Sequence, residues 1–354
     1  MSHFYAISDI HAHPYATGTQ KGNNGAINFR LQNCLDSLEM ACRAASQDEA
    51  PLFIAGDFAH LKAETPQLVT DLLFDLFSRY PNTRIYGIAG NHDFLNKDGS
   101  RTILGVLRDK ITVFPEPRRM ILEDQRMILT AVPFIRDIDV LRSTISQLVT
   151  PPTPGFTRVL LAHAYTQELM LKHAGLTTND LSASFFAMNF DLVLLGHHHV
   201  HDVLEYPRPD GSISKVVSIG APLQLTFADR GQEKGYLKIE LPSMTIKQIE
   251  TNMPRFMEIH DPTALKPADV KNAFVRVKVS GGADLKKLQK KLETTEALKI
   301  SFEHVPEKKQ QRITGLKASM PDEEIFRKYI EGNAPPAGLD AHKLLKLSAK
   351  YMSV

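Results

Sequence analysis

Cysteine is scarce in this sequence: Cys34 and Cys42 are the only two among 354 residues. Two cysteines cannot build a disulfide framework. Eight residues apart, they are expected on one helix face as small core residues of a reducing compartment. No apolar run approaches ~18 residues, which excludes a membrane-spanning helix. No basic segment with an apolar stretch behind it precedes the first strand-like residues, so no secretory leader is expected and the chain reads as cytoplasmic. Internal repeats and low-complexity tracts are missing too. Net charge is slight at +2, but it is unevenly spread. Residues 255–354 carry 19 Lys and Arg against 13 Asp and Glu, whereas residues 1–254 carry 23 against 27. A mildly acidic front suits a cation site, and a basic back suits a polyanion or an acidic partner.

What is present is a soluble globular composition, 43% hydrophobic and 23% charged, with length enough for two domains. Its most telling stretch is an apolar, β-branched run from Arg84 to Ala89 that meets Gly90 and stops on Asn91, His92 and Asp93. A buried strand of an α/β sheet delivers side chains to a crevice at its carboxyl edge in this manner. The same grammar recurs four times. Residues 4–8 end on Asp9 and His11, and residues 52–55 on Gly56, Asp57 and then His60. Residues 158–162 end on His163, and residues 191–195 run into Gly196, His197, His198 and His199. Helical spacing is expected over 29–47, 66–79 and 137–149, and further strands at 111–114, 127–132, 215–219, 235–241 and 245–250. Strands alternating with helices, then several strands in a row, predict an α/β core of two packed sheets.

Asp9, His11, Asp57, Asn91, His163, His197 and His199 thus arise from five strand ends expected on one edge. Carboxylate, imidazole and amide donors suit Mn²⁺, Fe or Zn²⁺ better than Ca²⁺. Seven donors are too many for one transition metal but suit two, with a carboxylate such as Asp57 bridging. Two such ions ~3.5–4 Å apart can hold a phosphoryl group and stabilise an in-line displacement. His13, His198 and His201 flank these positions and are expected around the ligands or at the surface.

In order and spacing, these motifs resemble the full set of the calcineurin-like metallophosphoesterases, over residues 1 to about 250. The resemblance implies a four-layer αββα sandwich with a dinuclear site. One metal would be held by Asp9, His11, Asp57 and His199, the other by Asp57, Asn91, His163 and His197. It also implies that His92 is the acid or transition-state stabiliser facing the leaving group, with Asp93 orienting it.

A finer resemblance concerns His60. Many phosphatases of this superfamily continue the second motif as Gly-Asp-x-x-Asp-Arg-Gly, but here it reads Gly56-Asp57-Phe58-Ala59-His60. A His there resembles the SbcD-type DNA double-strand-break repair nucleases, as does the stretch from Gly220 to Phe227 followed by Lys234, Gly235 and Tyr236. That likeness implies a Mn²⁺-dependent DNA exonuclease and endonuclease, acting as a homodimer with an SbcC-type coiled-coil ATPase in a bacterial cytoplasm or a virus-infected cell. It divides the chain into a phosphoesterase domain (1–254), a small βαβ capping and DNA-binding domain (255–318) and a helical, ATPase-docking tail (319–354). In the capping unit a Lys-rich helix is expected over 284–293, and in the tail two amphipathic helices over 321–331 and 339–352. The loop over 14–28 is longer and richer in Gly and Asn than that family's. Two rival functions share the motifs: a stand-alone metallophosphatase or cyclic-nucleotide phosphodiesterase, and a DNA-tethering subunit with a vestigial site.

Overall fold

The computed structural model describes residues 2–14, 27–60, 67–96, 101–260, 270–279, 290, 295–304, 320–332, 340 and 343–344. Four parallel strands form one side of a first sheet: β1 (Ser2–Ile7), β2 (Leu52–Ile54), β3 (Ile85–Ile88) and β4 (Thr112–Phe114). On the far side of β1, β11 (Gly235–Leu241) and β12 (Thr245–Glu250) add antiparallel strands, giving the order β12-β11-β1-β2-β3-β4. The second sheet runs β5 (Arg118–Leu122), β6 (Met127–Val132), β7 (Thr157–His163), β8 (Leu192–Gly196), β10 (Ile213–Ser218) and β9 (Asp202–Pro207). Its four inner strands are parallel and its two outer ones antiparallel.

Strand alternation sorts the side chains into layers. Phe4, Ala6, Phe53, Ala55, Tyr86 and Ile88 point between the sheets, where they meet Leu129, Leu161, Leu194 and Val217. Their neighbours Tyr5, Ile7, Leu52 and Ile54 point the other way, under α1 (Phe29–Gln47) and α2 (Gln67–Ser78). The outer face of the second sheet is covered by α3 (Ile138–Leu148) and α5 (Ala183–Asn189) through Leu141, Ile145 and Phe186, with the short α4 (Gln167–Ala174) between them in sequence. The order of layers is helix, sheet, sheet, helix: the four-layer sandwich that the motifs imply. Cys34 and Cys42 are free thiols buried in α1 against the first sheet.

Three strands had no clear signature in the sequence. β5 and β9 are outermost strands with half-exposed faces, so neither shows the continuous apolar run of a strand buried on both sides. The third is β13 (Arg255–Ile259), which joins β14 (Ala273–Val279) and β15 (Lys299–His304) in a separate sheet, parallel throughout. That sheet buries Val275, Val277 and Val279 in a cluster of its own. The helix expected over 284–293 lies outside the described residues except Lys290, and so does the one over 339–352 except Asp340, Lys343 and Leu344. The first tail helix is α6 (Asp322–Gly332).

The third sheet meets the sandwich at a polar junction around Arg30 and Gln224 and through Phe227, whose ring packs on that of Phe256 at 4.8 Å. The Arg30 guanidinium of α1 lies over the rings of Phe256 (5.2 Å) and Phe274 (5.1 Å) and donates to the Gln224 carbonyl at 2.9 Å. The Gln224 side-chain oxygen in turn accepts from the Phe256 amide at 2.7 Å.

Between the main sheets, Phe53 is fully buried, edge-on to Phe4 (5.1 Å between ring centres) and stacked on Tyr86 (5.3 Å). Phe53→Ala empties a site walled by two sheets that cannot close on it. Unfolding free energy in urea is expected to fall by about 3–5 kcal/mol; a loss under about 1 kcal/mol would mean that the intersheet core is not the main prop of the fold.

Candidate metal centre

The carboxyl ends of β1, β2 and β3 in one sheet face those of β7 and β8 in the other, and the residues just past these ends meet. Asp9, His11 and His199 bring one donor atom each within 4.8 Å of one another, and Asp57, His163 and His197 do the same. Asp57 lies between the two groups, with Oδ2 at 3.6 Å from His11 Nε2 and 3.4 Å from His163 Nε2. Asn91 Oδ1 is 3.0 Å from His163 Nε2, and His11 Nε2 is 3.1 Å from His199 Nε2. All seven residues expected as ligands are therefore in one place.

The backbone there is strained. Asp9 (φ 55°), His11 (φ 50°), Asp57 (φ 53°) and His197 (φ 89°) all occupy the left-handed region, which costs a non-glycine residue on the order of 1–3 kcal/mol. Main-chain hydrogen bonds hold the first two loops against each other: Asp9 N donates to Gly56 O (3.1 Å), His11 N to Asp57 O (3.0 Å) and Ala12 N to Phe58 O (2.9 Å). Two glycines allow the close approach. A Cβ on Gly90 would stand 2.1 Å from Asp57 Oδ1, and one on Gly196 2.1 Å from the Ala55 carbonyl oxygen.

Electrostatics favour a cation. Asp9 and Asp57 are buried, and neither forms an ion pair with a lysine or arginine among the described residues. Burial pushes the Asp9 carboxyl above its ordinary range. For Asp57 burial works in the same sense, but His163 and His11 outweigh it and hold the carboxyl low. His163 shows the reciprocal effect, raised to about 9 because Asp57 overcomes the burial that would lower it. Burial pushes His11 well below its usual value and His197 down to about 2, so both are neutral at pH 7, the form that ligates metals. Two buried carboxylates among imidazoles, with no lysine or arginine paired to them among the described residues, fit a pair of divalent ions. The carboxylate oxygens and ring nitrogens suit Mn²⁺, Fe or Zn²⁺.

A family model, calcineurin-like phosphoesterase, matches residues 2–201. The chain belongs to that family. Calcineurin-like phosphoesterases are metal-dependent hydrolases with paired divalent ions, in keeping with the clusters described. No curated protein matches the chain. Among solved structures, it is similar to a dimetal phosphatase from Danio rerio (10% identity, 70% of this chain and 97% of that one, TM-score 0.42). A novel archaeal phosphodiesterase is similar at 11% identity, 70% and 98% coverage, and TM-score 0.32. So is a 5′-nucleotidase precursor from Thermus thermophilus, at 12%, 70% and 53%, and 0.36.

In this phosphoesterase one expected role changes hands. Asp93 does not orient the His92 ring; its two carboxylate oxygens accept from Ala59 N (3.1 Å) and Gly90 N (2.8 Å) and so fasten the turn itself. The His92 ring meets the His60 carbonyl oxygen through Nδ1, and the His92 amide donates to Asp57 Oδ1 at 2.8 Å. The reason is local: with its side chain turned back into the turn, a buried Asp three residues after Gly90 satisfies amides that would otherwise be orphaned. His60 stacks on His92, rings 5.2 Å apart and 11° from parallel. His198 faces His173 (5.1 Å), His201 Nδ1 meets the Ser218 carbonyl (2.8 Å) and the His13 ring is 5.7 Å from that of His60; none joins either donor cluster.

Two neighbours of the site, Tyr165 and Phe134, had no signal in the sequence, and a third, Lys234, stood out there only as part of the stretch with Gly235 and Tyr236. The Tyr165 ring lies 3.8 Å from that of His197, with Phe134 on the same imidazole at 5.6 Å. Lys234, buried and paired with Asp229 (3.3 Å), donates to the His199 carbonyl oxygen at 2.5 Å and so holds a ligand-bearing loop from below.

Gly90→Ala tests the close approach. The new methyl must displace the Asp57 carboxylate, and a misplacement of about 1 Å at a reacting centre costs on the order of 10²-fold in rate. Metal content by elemental analysis should fall together with phosphodiester hydrolysis. Two ions bound as in the parent, with unchanged turnover, would show that Asp57 does not hold them.

Proposed function

We propose that this phosphoesterase is a DNA phosphodiesterase, an exonuclease and endonuclease of SbcD type that works with an SbcC-type coiled-coil ATPase in DNA end processing, repair or recombination. The observation that carries the reading is His60. It stands where phosphatases of the superfamily place another motif, and its ring is stacked beside His92 at the metal centre. Further support comes from the stretch from Gly220 to Phe227, the SbcD-like segment. Its Gln224 bonds the Phe256 amide, and its Phe227 ring packs on that of Phe256 at 4.8 Å, so it joins the sandwich to the third sheet.

In this reading Asp9, His11, Asp57 and His199 would hold one Mn²⁺, and Asp57, Asn91, His163 and His197 would hold the other. When bound, the pair supplies positive charge that polarises the phosphoryl oxygens and stabilises in-line displacement. The remaining work falls to the protein. His92 donates its Nδ1–H to the His60 carbonyl, so it acts as the acid in its imidazolium form, giving the Nε2 proton to the departing oxygen and keeping the one on Nδ1. His60 orients the DNA phosphate. Residues 1–254 are the phosphoesterase domain, 255–318 the capping and DNA-binding unit and 319–354 the docking tail, with two copies joined in a heterotetramer. On α6, Ile325, Phe326 and Ile330 are half-buried and Tyr329 is 52% exposed, an apolar face suited to a coiled coil.

The deciding measurement is cleavage of linear duplex and hairpin DNA with Mn²⁺, with and without the ATPase, compared with a small aryl phosphodiester. Duplex cleavage stimulated by ATP is expected. Rapid turnover of the small ester with no action on any DNA would replace the nuclease by a stand-alone phosphodiesterase. His92→Ala should keep both ions and slow hydrolysis by roughly 10²–10⁴; loss of metal, or undiminished turnover, would remove His92 from the acid role. Tyr329→Asp should leave cleavage of the small ester unchanged but end co-purification with the ATPase. Normal co-purification would place the docking surface elsewhere.

A further inference from the structure

His60 touches the metal centre by two different routes. Its ring nitrogen Nδ1 is 3.2 Å from His11 Nδ1, a contact between a side chain and an expected metal ligand. Its main-chain carbonyl meets His92 Nδ1. The three imidazoles also present donor atoms within 4.8 Å of one another, so they could be taken for a third cation site.

Proton placement decides between the two. The Nε2 edge of His11 faces Asp9 (3.8 Å), Asp57 (3.6 Å) and His199 (3.1 Å). To ligate an ion on that edge, Nε2 must offer its lone pair, and a neutral imidazole then carries its proton on Nδ1. That proton points at His60 Nδ1, which accepts it and must itself be protonated on Nε2. His11 cannot also give Nδ1 to a second ion without losing this proton. Metal-bound histidines commonly donate their other ring N–H to a fixed acceptor, which sets tautomer and ring orientation and raises ligand basicity.

We propose that His60 is the positioning residue of this centre: its Nδ1 accepts from His11 Nδ1–H and fixes His11 in the metal-binding tautomer, while its carbonyl oxygen accepts from His92 Nδ1–H and aims the acid at the same site. The inference rests on the dinuclear reading of the centre and not on DNA as substrate. One residue thereby aligns a ligand and the acid, the ligand through a replaceable side chain and the acid through a main-chain atom that substitution leaves in place.

Two isosteres separate the side-chain contact from a contact made at the far end of the ring. Asn places an amide atom where Nδ1 sits, whereas Gln places one near Nε2. Full-length parent, His60→Asn, His60→Gln and His60→Ala are stripped of metal and titrated with Mn²⁺ by calorimetry, without substrate. His60→Asn should bind Mn²⁺ within about threefold of the parent, and His60→Gln and His60→Ala should bind about 10–100-fold more weakly. Raising Mn²⁺ should restore turnover of a small aryl phosphodiester by His60→Gln, because the loss is in metal affinity and His92 remains held. Equal affinity in all four proteins would overturn the proposal, as would Gln retaining and Asn losing it, or turnover that Mn²⁺ does not restore. Three ions in the parent falling to two in His60→Asn would make His60 a ligand and also overturn it. A parent that binds no Mn²⁺ would remove the dinuclear reading itself, and the proposal with it.

Discussion

Two carboxylates buried where a pair of sheets meet set the terms for the rest of this structure. Asp9 and Asp57 are almost inaccessible to water, and their nearest polar company is imidazole, amide and main-chain N–H. An uncompensated buried carboxylate is strongly unfavourable, and burial alone pushes the Asp9 carboxyl upward. Guanidinium or ammonium groups could have neutralised them, as Arg158 and Arg208 do for Asp191 in the second sheet. At the site that option is absent among the described residues, and His11, His163 and His199 stand there instead. The arrangement suits a guest charge. Its binding energy then adds to the stability of the fold, because the unfolded chain has no preformed site.

The sandwich makes that possible by being rigid on both sides. Parallel strands put five carboxyl ends on one edge, and the aromatic series Phe4, Phe53, Tyr86 and Phe114 fills the space behind them with edge-on and stacked rings. Four ligand-bearing residues sit in left-handed backbone, an arrangement that persists only where surrounding structure leaves no alternative. Here the surrounding structure is the pairing of the first two loops through successive main-chain hydrogen bonds. Strain at the ligands and order in the sheets are two sides of one constraint: the strained residues follow directly on strand ends that the sheets and these main-chain bonds hold in place.

This also explains what could be read from the sequence. Strands buried on both faces leave continuous apolar runs, and a run that stops abruptly on Asp, Asn or His announces a sheet edge with chemistry on it. All seven donors were legible for that reason. Outer strands such as β9, half-exposed along its length, leave no such run. Side-chain direction is harder still. Asp93 follows His92 directly and looks like its partner on paper, yet the turn bends its carboxylate back to Gly90 and Ala59. Lys234 and Tyr165 reach the site across the fold, and neither is spaced in the sequence to suggest it. The Lys234 contact needs a buried ammonium to find a carbonyl 35 residues away.

Helix α1 ties the third sheet to the metal centre. Arg30 and Cys34 are one turn apart and share a face. Arg30 lies on the Phe256 and Phe274 rings of the third sheet, whereas Cys34 packs under the first motif, with Sγ 3.8 Å from the His11 carbonyl oxygen. A single turn of helix therefore spans the distance between the third sheet and a residue at the metal centre. Because α1 is also packed along the first sheet through Leu31, Leu38 and Ala41, it cannot slide to accommodate one contact without disturbing the other. The third sheet and the carboxylate cluster around Asp9 and Asp57 are therefore registered against the same helix.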